Sequence, residues 1–251
     1  MAKRSLGQNF LTSEKIVADI VGAANLSRED IVLEIGPGKG VLTKGLLEKV
    51  GKVIAIEKDD GLFKLLSEKF EEEIRSKKLE LIHGNALVFE KLPEKYKLVA
   101  NIPYNITGEI LRKFLSMKSQ PELVVLMLQK EVVDRILERD GKGSILSNSI
   151  KVYGKPRLIK KVPASFFKPK PKVDSAILKI ENISKKAFQD VSEEKFFEIL
   201  KTGFRHKRKT LSNNLSVYKN HLEALEKCSI RPQSRAEELS IEDWLCLSKN
   251  L

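Results

Sequence analysis

Soft metal and redox ligands are scarce in this chain, which holds two cysteines and three histidines in 251 residues. Cys228 and Cys246 are too few for a disulfide framework and lack C-x-x-C spacing, so the expectation is a protein of the reducing cytoplasm. His83, His206 and His221 are scattered, and no pair of them has metal-ligand spacing with the cysteines, so no metal site is expected. Long hydrophobic runs are missing too. No stretch approaches the roughly 20 apolar residues of a membrane span, and the basic opening MAKRSLGQNF soon turns polar. Neither a signal peptide nor a membrane helix is therefore expected. Without long Gly, Pro or Ser tracts the chain does not read as fibrous or disordered. No G-x-S-x-G elbow and no G-x-x-x-x-G-K-[ST] loop occurs, which removes the usual hydrolase and P-loop nucleotidase signatures.

Positive charge is abundant and local. Lys and Arg number 46 against 34 Asp and Glu, a formal net charge of +12. Residues 151–180 hold nine Lys or Arg against Asp174 alone, and residues 201–220 hold six with no acid. These two stretches carry the whole excess, leaving the remainder slightly acidic. A solvated Lys-rich surface would explain one such cluster. Two clusters on an otherwise acidic chain favour a polyanionic partner, nucleic acid first. Abundant Lys and Glu are also compatible with a heat-adapted source.

Short β-type runs alternate with helical patterns through the first two-thirds. Strands are expected at about 31–35, 53–57, 79–82, 97–100 and 122–128, with helices between them on faces such as Leu42, Leu46, Leu47 and Ile110, Leu111, Phe114. An earlier helix starting near Ser13 is expected to pack against an edge of the sheet. This alternation predicts an α/β fold with a mostly parallel sheet covered on both faces. Beyond a helix at 145–153, basic strands around 157–162 and 173–180 suggest a closing antiparallel hairpin. After Asn182–Lys186 only helical patterns remain. The expected division is a catalytic domain over 1–183 and a small all-α domain over 184–251.

The segment Glu34-Ile35-Gly36-Pro37-Gly38-Lys39-Gly40 follows a strand and opens a helix. Glycines there let the backbone turn tightly and approach a ligand closely. The spacing is G-x-G-x-G rather than G-x-G-x-x-G, so a dinucleotide is a competitor only. Glu57, at the end of the next strand, is placed to accept hydrogen bonds from both hydroxyls of a ribose, which suits either kind of cofactor. Asn101-Ile102-Pro103-Tyr104-Asn105, at the fourth strand end, separates the two. It is of the [N/D]-P-P-[Y/F] type, with Ile102 in the second position, found in enzymes that methylate an exocyclic amine. An adenine N6 amine is a poor nucleophile because its lone pair is delocalised into the ring. The Asn101 side-chain oxygen and the Ile102 carbonyl are suited to accept its N–H bonds, while Pro103 stiffens the turn. Tyr104 offers a flat face on which a base can stack.

The sequence resembles the KsgA-type ribosomal RNA small-subunit adenine dimethyltransferases, on matches that run almost end to end. They begin with Gly7-Gln8-Asn9-Phe10-Leu11, EIGPGKG at 34–40, Glu57, Gly84-Asn85-Ala86-Leu87 and NIPYNIT at 101–107. They continue with FKPKPKVDS at 167–175, GFRHKRKTLSNNL at 203–215 and RAEELS at 235–240. The resemblance implies a Rossmann-like class I methyltransferase sheet with one antiparallel strand, followed by a small helical domain. It implies S-adenosylmethionine as methyl donor, bound by Asn9, Leu11, Gly36, Gly38, Glu57, Asn85 and Asn101, and no metal. It further implies dimethylation at N6 of two adjacent adenosines near the 3′ end of 16S rRNA, by a monomer acting on a 30S assembly intermediate. The family usually has Asp where this chain has Asn85, which keeps an acceptor oxygen and loses a charge.

The FKPKPKV segment also fits a polyproline linker or an SH3-type ligand. Between two strands of one sheet it reads better as a rigid loop bringing Phe167 to the target base opposite Tyr104. Lys168 and Lys170 of that loop, with Arg205, Lys207, Arg208 and Lys209, are the candidate RNA phosphate contacts. Two competing readings are a resistance methyltransferase of large-subunit rRNA, disfavoured by GFRHKRKTLSNNL and RAEELS, and a non-catalytic RNA-binding factor, disfavoured by intact Asn101, Pro103 and Tyr104.

Overall fold

The structure, a computed structural model, describes residues 9–103 and 106–251. Tyr104, Gly7 and Gln8 lie outside the described residues. Two compact units divide the chain: residues up to Val133 together with Pro156–Ile183, and Asp134–Lys155 together with Ser184–Leu251. Residues 134–155, expected in the first domain, cluster instead with the helical unit, because α7 (Ile145–Lys151) packs on α8 (Glu193–Gly203) and Tyr153 donates to Glu193 Oε1 at 2.9 Å.

The first unit is built on a seven-stranded sheet in the order β4-β3-β2-β5-β6-β9-β7. Its strands are β2 (Ile31–Ile35), β3 (Lys52–Glu57), β4 (Leu79–His83), β5 (Lys97–Asn101), β6 (Leu123–Gln129), β7 (Lys155–Val162) and β9 (Ser175–Glu181). The pairings β2–β3, β3–β4, β2–β5 and β5–β6 are parallel, and β9 runs antiparallel to β6. Interior strands covered on both faces read as unbroken apolar runs, as LVVLML in β6 does, and all six of those residues are buried. The outer strands are different. β4 buries only Leu79 fully, and β7 carries Lys155, Pro156, Arg157, Lys160 and Lys161, the charge and proline that keep an edge from pairing with other chains.

Helices α2 (Val41–Leu47), α3 (Asp60–Lys69), α4 (Glu71–Arg75), α5 (Thr107–Ser116) and α6 (Lys130–Ile136) follow the strands in turn. Helix α1 (Glu14–Ala23) begins where the Ser13 side chain accepts from the Ile16 amide, and it buries Ile16, Val17, Ile20 and Val21. It packs on α2 and on the interior strand β6, so the expectation that it lies against a sheet edge is corrected. Its apolar stripe is satisfied by a sheet face, where far more hydrophobic area is offered than at a rim.

A second, two-stranded sheet was invisible in the sequence. β1 (Phe10–Leu11) pairs antiparallel with β8 (Phe167–Lys168), matching Phe10 with Lys168 and Leu11 with Phe167. Thr12 extends the ribbon, its amide and its hydroxyl each donating to the Phe166 carbonyl at 3.0 Å.

The second unit contains α7, α8, α9 (Leu211–Leu215), α10 (His221–Lys227) and α11 (Ile241–Asn250). Trp244 is its fully buried centre, stacked on Phe204 at 5.5 Å between ring centroids. Gly203 makes room for that indole: a Cβ there would lie 2.4 Å from Trp244 Cη2. Cys228 and Cys246, too few for a disulfide framework and expected in a reducing compartment, nonetheless form a disulfide joining the end of α10 to α11. Neither the count nor the spacing of the cysteines reveals a pairing made by helix packing. Among the described residues no helix is long and apolar enough to cross a membrane.

Candidate active site

Strand order decides where the site lies. From β2 the chain moves outward through β3 and β4, then returns to β5 on the other side of β2 and moves outward through β6. The crevice at such a reversal, outside the carboxyl ends of the strands, is where open α/β sheets bind ligands. The turn after β2 carries Gly36–Gly40, and β5 ends on Asn101. Leu33 is in register with Leu98, and continuing that register by three residues sets Gly36 beside Asn101.

Two cavities open along this edge and share Gly36, Glu57 and Pro103. The first, of about 80 Å3, is lined by Asn9, Phe10, Leu11, Glu34, Gly36, Gly38, Lys39, Glu57, Asn101, Ile102 and Pro103 among others. The second, of about 150 Å3, is more apolar and is lined by Ile35, Ile56, Asp59, Asn85, Ala86, Leu87 and Ile106 among others. All of the sequence-derived cofactor residues thus fall on this continuous cleft: Asn9, Leu11, Gly36, Gly38, Glu57 and Asn101 in the first cavity, Asn85 in the second.

The Gly loop is shaped by its backbone. Gly36, Gly38 and Gly40 have φ of 65°, 60° and 74°, in the left-handed region that side chains disfavour. Gly38 is crowded as well, since a Cβ would lie 3.1 Å from Phe10 Cδ1. Phe10 therefore sits directly on the loop, with the Lys39 ammonium 4.9 Å from its ring centroid.

Two buried acids face this cleft in opposite circumstances. Glu57 is 4% exposed, and its carboxylate accepts from the Gly38 amide at 3.1 Å and from the Lys58 and Asp59 amides at 2.9 Å each. Burial raises its pKa, and these three amides oppose the rise. Glu34 is 1% exposed, and neither its Oε2 nor the Thr43 hydroxyl has a hydrogen-bond partner. Burial, relieved a little by the nearby Thr43 hydroxyl and reinforced by the Glu57 charge, pushes the Glu34 carboxyl up to about 8.

Asn85 closes a local turn, its Oδ1 accepting from the Leu87 amide at 3.0 Å. The Leu87 carbonyl in turn accepts from Lys113 Nζ at 2.8 Å. A carbonyl oxygen has two lone pairs, so Asn85 keeps one acceptor position for the cleft.

The expectation for Phe167 is corrected. Its side chain is 4% exposed and belongs to the same buried cluster as Leu11, so it offers no free face for stacking. Pairing with β1 is the reason: Leu11 and Phe167 are direct cross-strand neighbours and pack inward together. Lys168, Lys170, Arg205, Lys207, Arg208 and Lys209 are all exposed. In the first basic stretch Lys151, Arg157, Lys160 and Lys179 are engaged in ion pairs with Glu138, Glu181, Asp19 and Glu181. Those four therefore contribute less to an outward positive field than the sequence count suggests. In the helical unit the 205–209 loop is tied down by Asn214, whose Oδ1 accepts from the His206 amide at 3.1 Å and whose Nδ2 donates to the His206 carbonyl at 3.2 Å. The Leu211 amide donates to the Ser234 carbonyl at 2.7 Å, which stitches the GFRHKRKTLSNNL segment to the stretch before RAEELS.

Sequence reasoning missed Glu34, Phe10 and Lys39 as cavity walls, although each stands inside a motif already singled out. The apolar lining at Ile35, Ile56 and Ile106 has a signal only in hindsight, as hydrophobic residues at the carboxyl ends of strands or just beyond them.

A Rossmann-like sheet whose reversal point holds a glycine loop, a ribose-type acid and an Asn-Ile-Pro turn defines a methyltransferase of class I architecture. The chain belongs to the ribosomal RNA adenine dimethylase family, whose family model matches residues 1–251. It is 42% identical over 98% of its length to the ribosomal RNA small subunit methyltransferase A of Dehalococcoides mccartyi strain 195, covering 88% of that protein. It is 40% identical, again over 98%, to the protein of the same name from Clostridium botulinum strain Okra, covering 92% of it. Among solved structures, a dimethyladenosine transferase from Plasmodium falciparum superposes with a TM-score of 0.81 at 30% identity, over 95% of both chains. The 23S rRNA methyltransferase ErmE gives 0.76 at 27% identity, over 97% of this chain and 99% of that one.

Proposed function

We propose that the protein uses S-adenosylmethionine to dimethylate N6 of two adjacent adenosines near the 3′ end of small-subunit (16S) rRNA. It does so as a cytoplasmic monomer, on a 30S assembly intermediate and without a metal. The observation that carries this reading is that Asn101 and the Gly36–Gly38 turn line one cavity at the sheet's reversal point.

The cleft suits such a donor on its own chemistry. It pairs an apolar slot beside Asn85 with a more polar part beside Glu57, and a Cβ at Gly38 would crowd the Phe10 ring in its wall. Bound there, the donor supplies a methyl group already made electrophilic by a sulfonium centre. Glu57 accepts from the ribose hydroxyls, Asn85 from the adenine amine, and Asn9 and Leu11 close the first cavity. The Asn101 side-chain oxygen and the Ile102 carbonyl accept the N–H bonds of the target amine and so direct its lone pair toward the donor. Pro103 fixes the turn that aims them, and Tyr104 supplies the face for the base. No strong general base is needed, because the methylated ammonium is acidic enough to lose its proton to water. Phe167 acts from within, by packing beneath Leu11 and holding the β1 wall in place. Lys168 and Lys170, and in the helical unit Arg205, Lys207, Arg208 and Lys209, contact phosphates.

The test is incubation with labelled S-adenosylmethionine and each undermethylated ribosomal subunit, followed by mapping of the modified bases. Label confined to two adjacent adenosines of the small subunit is expected. Label on the large subunit would assign the chain to the activity named for ErmE, and no label on either would leave an RNA-binding factor.

A further inference from the structure

One wall of the second cavity is tethered by a lysine that does not line it. Between β4 and β5 the chain runs through residues 84–96 without helix or strand, and Asn85, Ala86 and Leu87 near its start form that wall. Four hydrogen bonds shape it. The Gly84 amide donates to the Glu57 carbonyl at 2.9 Å, the Val88 amide to the Asn85 carbonyl at 3.1 Å, the Leu87 amide to Asn85 Oδ1 at 3.0 Å, and Lys113 Nζ to the Leu87 carbonyl at 2.8 Å. The first fixes the incoming end to β3, and the next two close the turn on itself. Of the four, the last alone reaches from the outgoing half of the turn to a helix. Val88 just beyond is 73% exposed, so packing does not hold the turn on that side.

Lys113 stands in the last turn of α5, which is anchored by buried Ile110, Leu111, Phe114 and Leu115. Glu109 lies one turn earlier, in the order that favours an ion pair along a helix. Among the described residues the ammonium nevertheless pairs with no carboxylate and donates to the Leu87 carbonyl, a charge-assisted bond in a half-buried place. Ile106, the N-cap of the same helix, lines the second cavity. One helix therefore carries one part of the cavity wall at its start and ties down another at its end.

We propose that Lys113 is a positioning residue for donor recognition: by holding the Leu87 carbonyl it keeps the Asn85 oxygen aimed at the adenine amine, and so sets the preference of the cleft for a 6-amino purine. This rests on the reading of the cleft as the donor site and of Asn85 as the acceptor for that amine. Linked peptide planes carry the effect. The Leu87 amide lies in one plane and its carbonyl in the next, so Asn85 Oδ1 and Lys113 Nζ grip Leu87 on both sides of its Cα and leave its φ and ψ little freedom. A turn released from Lys113 would carry the Asn85 oxygen with it, because that oxygen is held by the same amide. A hydrogen bond weakens steeply once its angle or length departs from the optimum, whereas apolar contact with Ile35, Ile56 and Ile106 is non-directional. Loss of the ammonium is therefore felt at the amine and scarcely by the rest of the purine. Lys113 lines neither cavity, so it acts only through Leu87.

The experiment is titration calorimetry of the full chain with S-adenosylhomocysteine and with its 6-deamino analogue, in which hydrogen replaces the adenine amine. Neither ligand transfers a methyl group, so the measurement reads binding alone. Wild type should prefer the amine-bearing ligand by about tenfold, the worth of a hydrogen bond to a partly buried group. Lys113→Met keeps the apolar stem and removes the ammonium. It should weaken S-adenosylhomocysteine by about five- to tenfold and the analogue by less than about twofold, so that the preference nearly vanishes. Lys113→Arg, which keeps a charged donor, should recover most of the preference. A Lys113→Met protein that retains the wild-type preference would overturn the proposal, whether both affinities stay or both fall together; a common fall would make Lys113 a general support of the fold. Lys113→Arg behaving no better than Lys113→Met would overturn it too, since a donor to Leu87 is what the role requires. Wild type without any preference between the ligands would instead remove Asn85 as the acceptor for the amine, and the proposal with it.

Discussion

The cleft of the first unit and the basic loop of the second are built on opposite principles. In the cleft, position is set by main chain: three glycines at positive φ, strand ends in register, and a carboxylate held by three amides. Few of its residues are exchangeable, because burial makes each unsatisfied group costly. The 205–209 loop is fixed at its root by Asn214 and by the Gly203–Trp244 contact, while Arg205, Lys207, Arg208 and Lys209 all point into solvent. Exposed charges act additively through a screened field, so no single one should be decisive. One region is specified by geometry and the other by charge density on a geometrically specified root.

Four experiments probe that contrast. The largest effect is expected from Asn101→Ala, which removes the acceptor proposed for the target amine. Methyl transfer should fall by about 10²–10³-fold while RNA affinity measured by filter binding stays within about twofold. Equal loss of both would make the residue structural and blur the distinction. Gly203→Ala follows, attacking the root of the charged loop rather than its charges. The added Cβ meets the Trp244 indole, and overpacking of that kind costs about 1–3 kcal/mol in denaturant unfolding. Donor affinity should be untouched, and an unchanged unfolding midpoint would mean that the helical unit repacks freely. Gly38→Ala tests the cleft in the same manner. Its positive φ and the nearby Phe10 ring predict a loss of about 1–2 kcal/mol in denaturant unfolding of the first unit, the cost of a left-handed Ala, and an unchanged midpoint would mean that the loop relaxes freely. The smallest effect is that of replacing Arg205, Lys207 and Arg208 together by Ala. The log–log salt dependence of RNA binding should flatten by about two units, with donor affinity unaltered. An unaltered slope would take these side chains off the RNA surface.

Legibility in the sequence follows the same division. Strands β2 to β6 were predicted to within a residue or two, and for β2, β3, β5 and β6 the reason is that parallel interior strands leave unbroken apolar runs. The cleft residues were legible as types at strand ends, since the fold brings all carboxyl ends to one side. What escaped depends on contacts with no local signal. The pairing of Leu11 with Phe167 joins two-residue strands far apart in sequence, and it turned an expected stacking face into a core residue. The Cys228–Cys246 bond and the grouping of residues 134–155 with the helices likewise arise from helix packing. Charge counting overstated the first basic stretch, because ion pairing by Lys151, Arg157, Lys160 and Lys179 is decided only in three dimensions.

The short ribbon between β1 and β8 has a bearing on how the enzyme is made. The Asn9–Leu11 wall leaves the ribosome about 150 residues before its partner strand. At ordinary translation speeds that is an interval of about 10–30 s. During it every other motif of the cleft has already been synthesised. Donor affinity in a nascent chain should therefore switch on late and abruptly, once Phe167 has passed the exit tunnel.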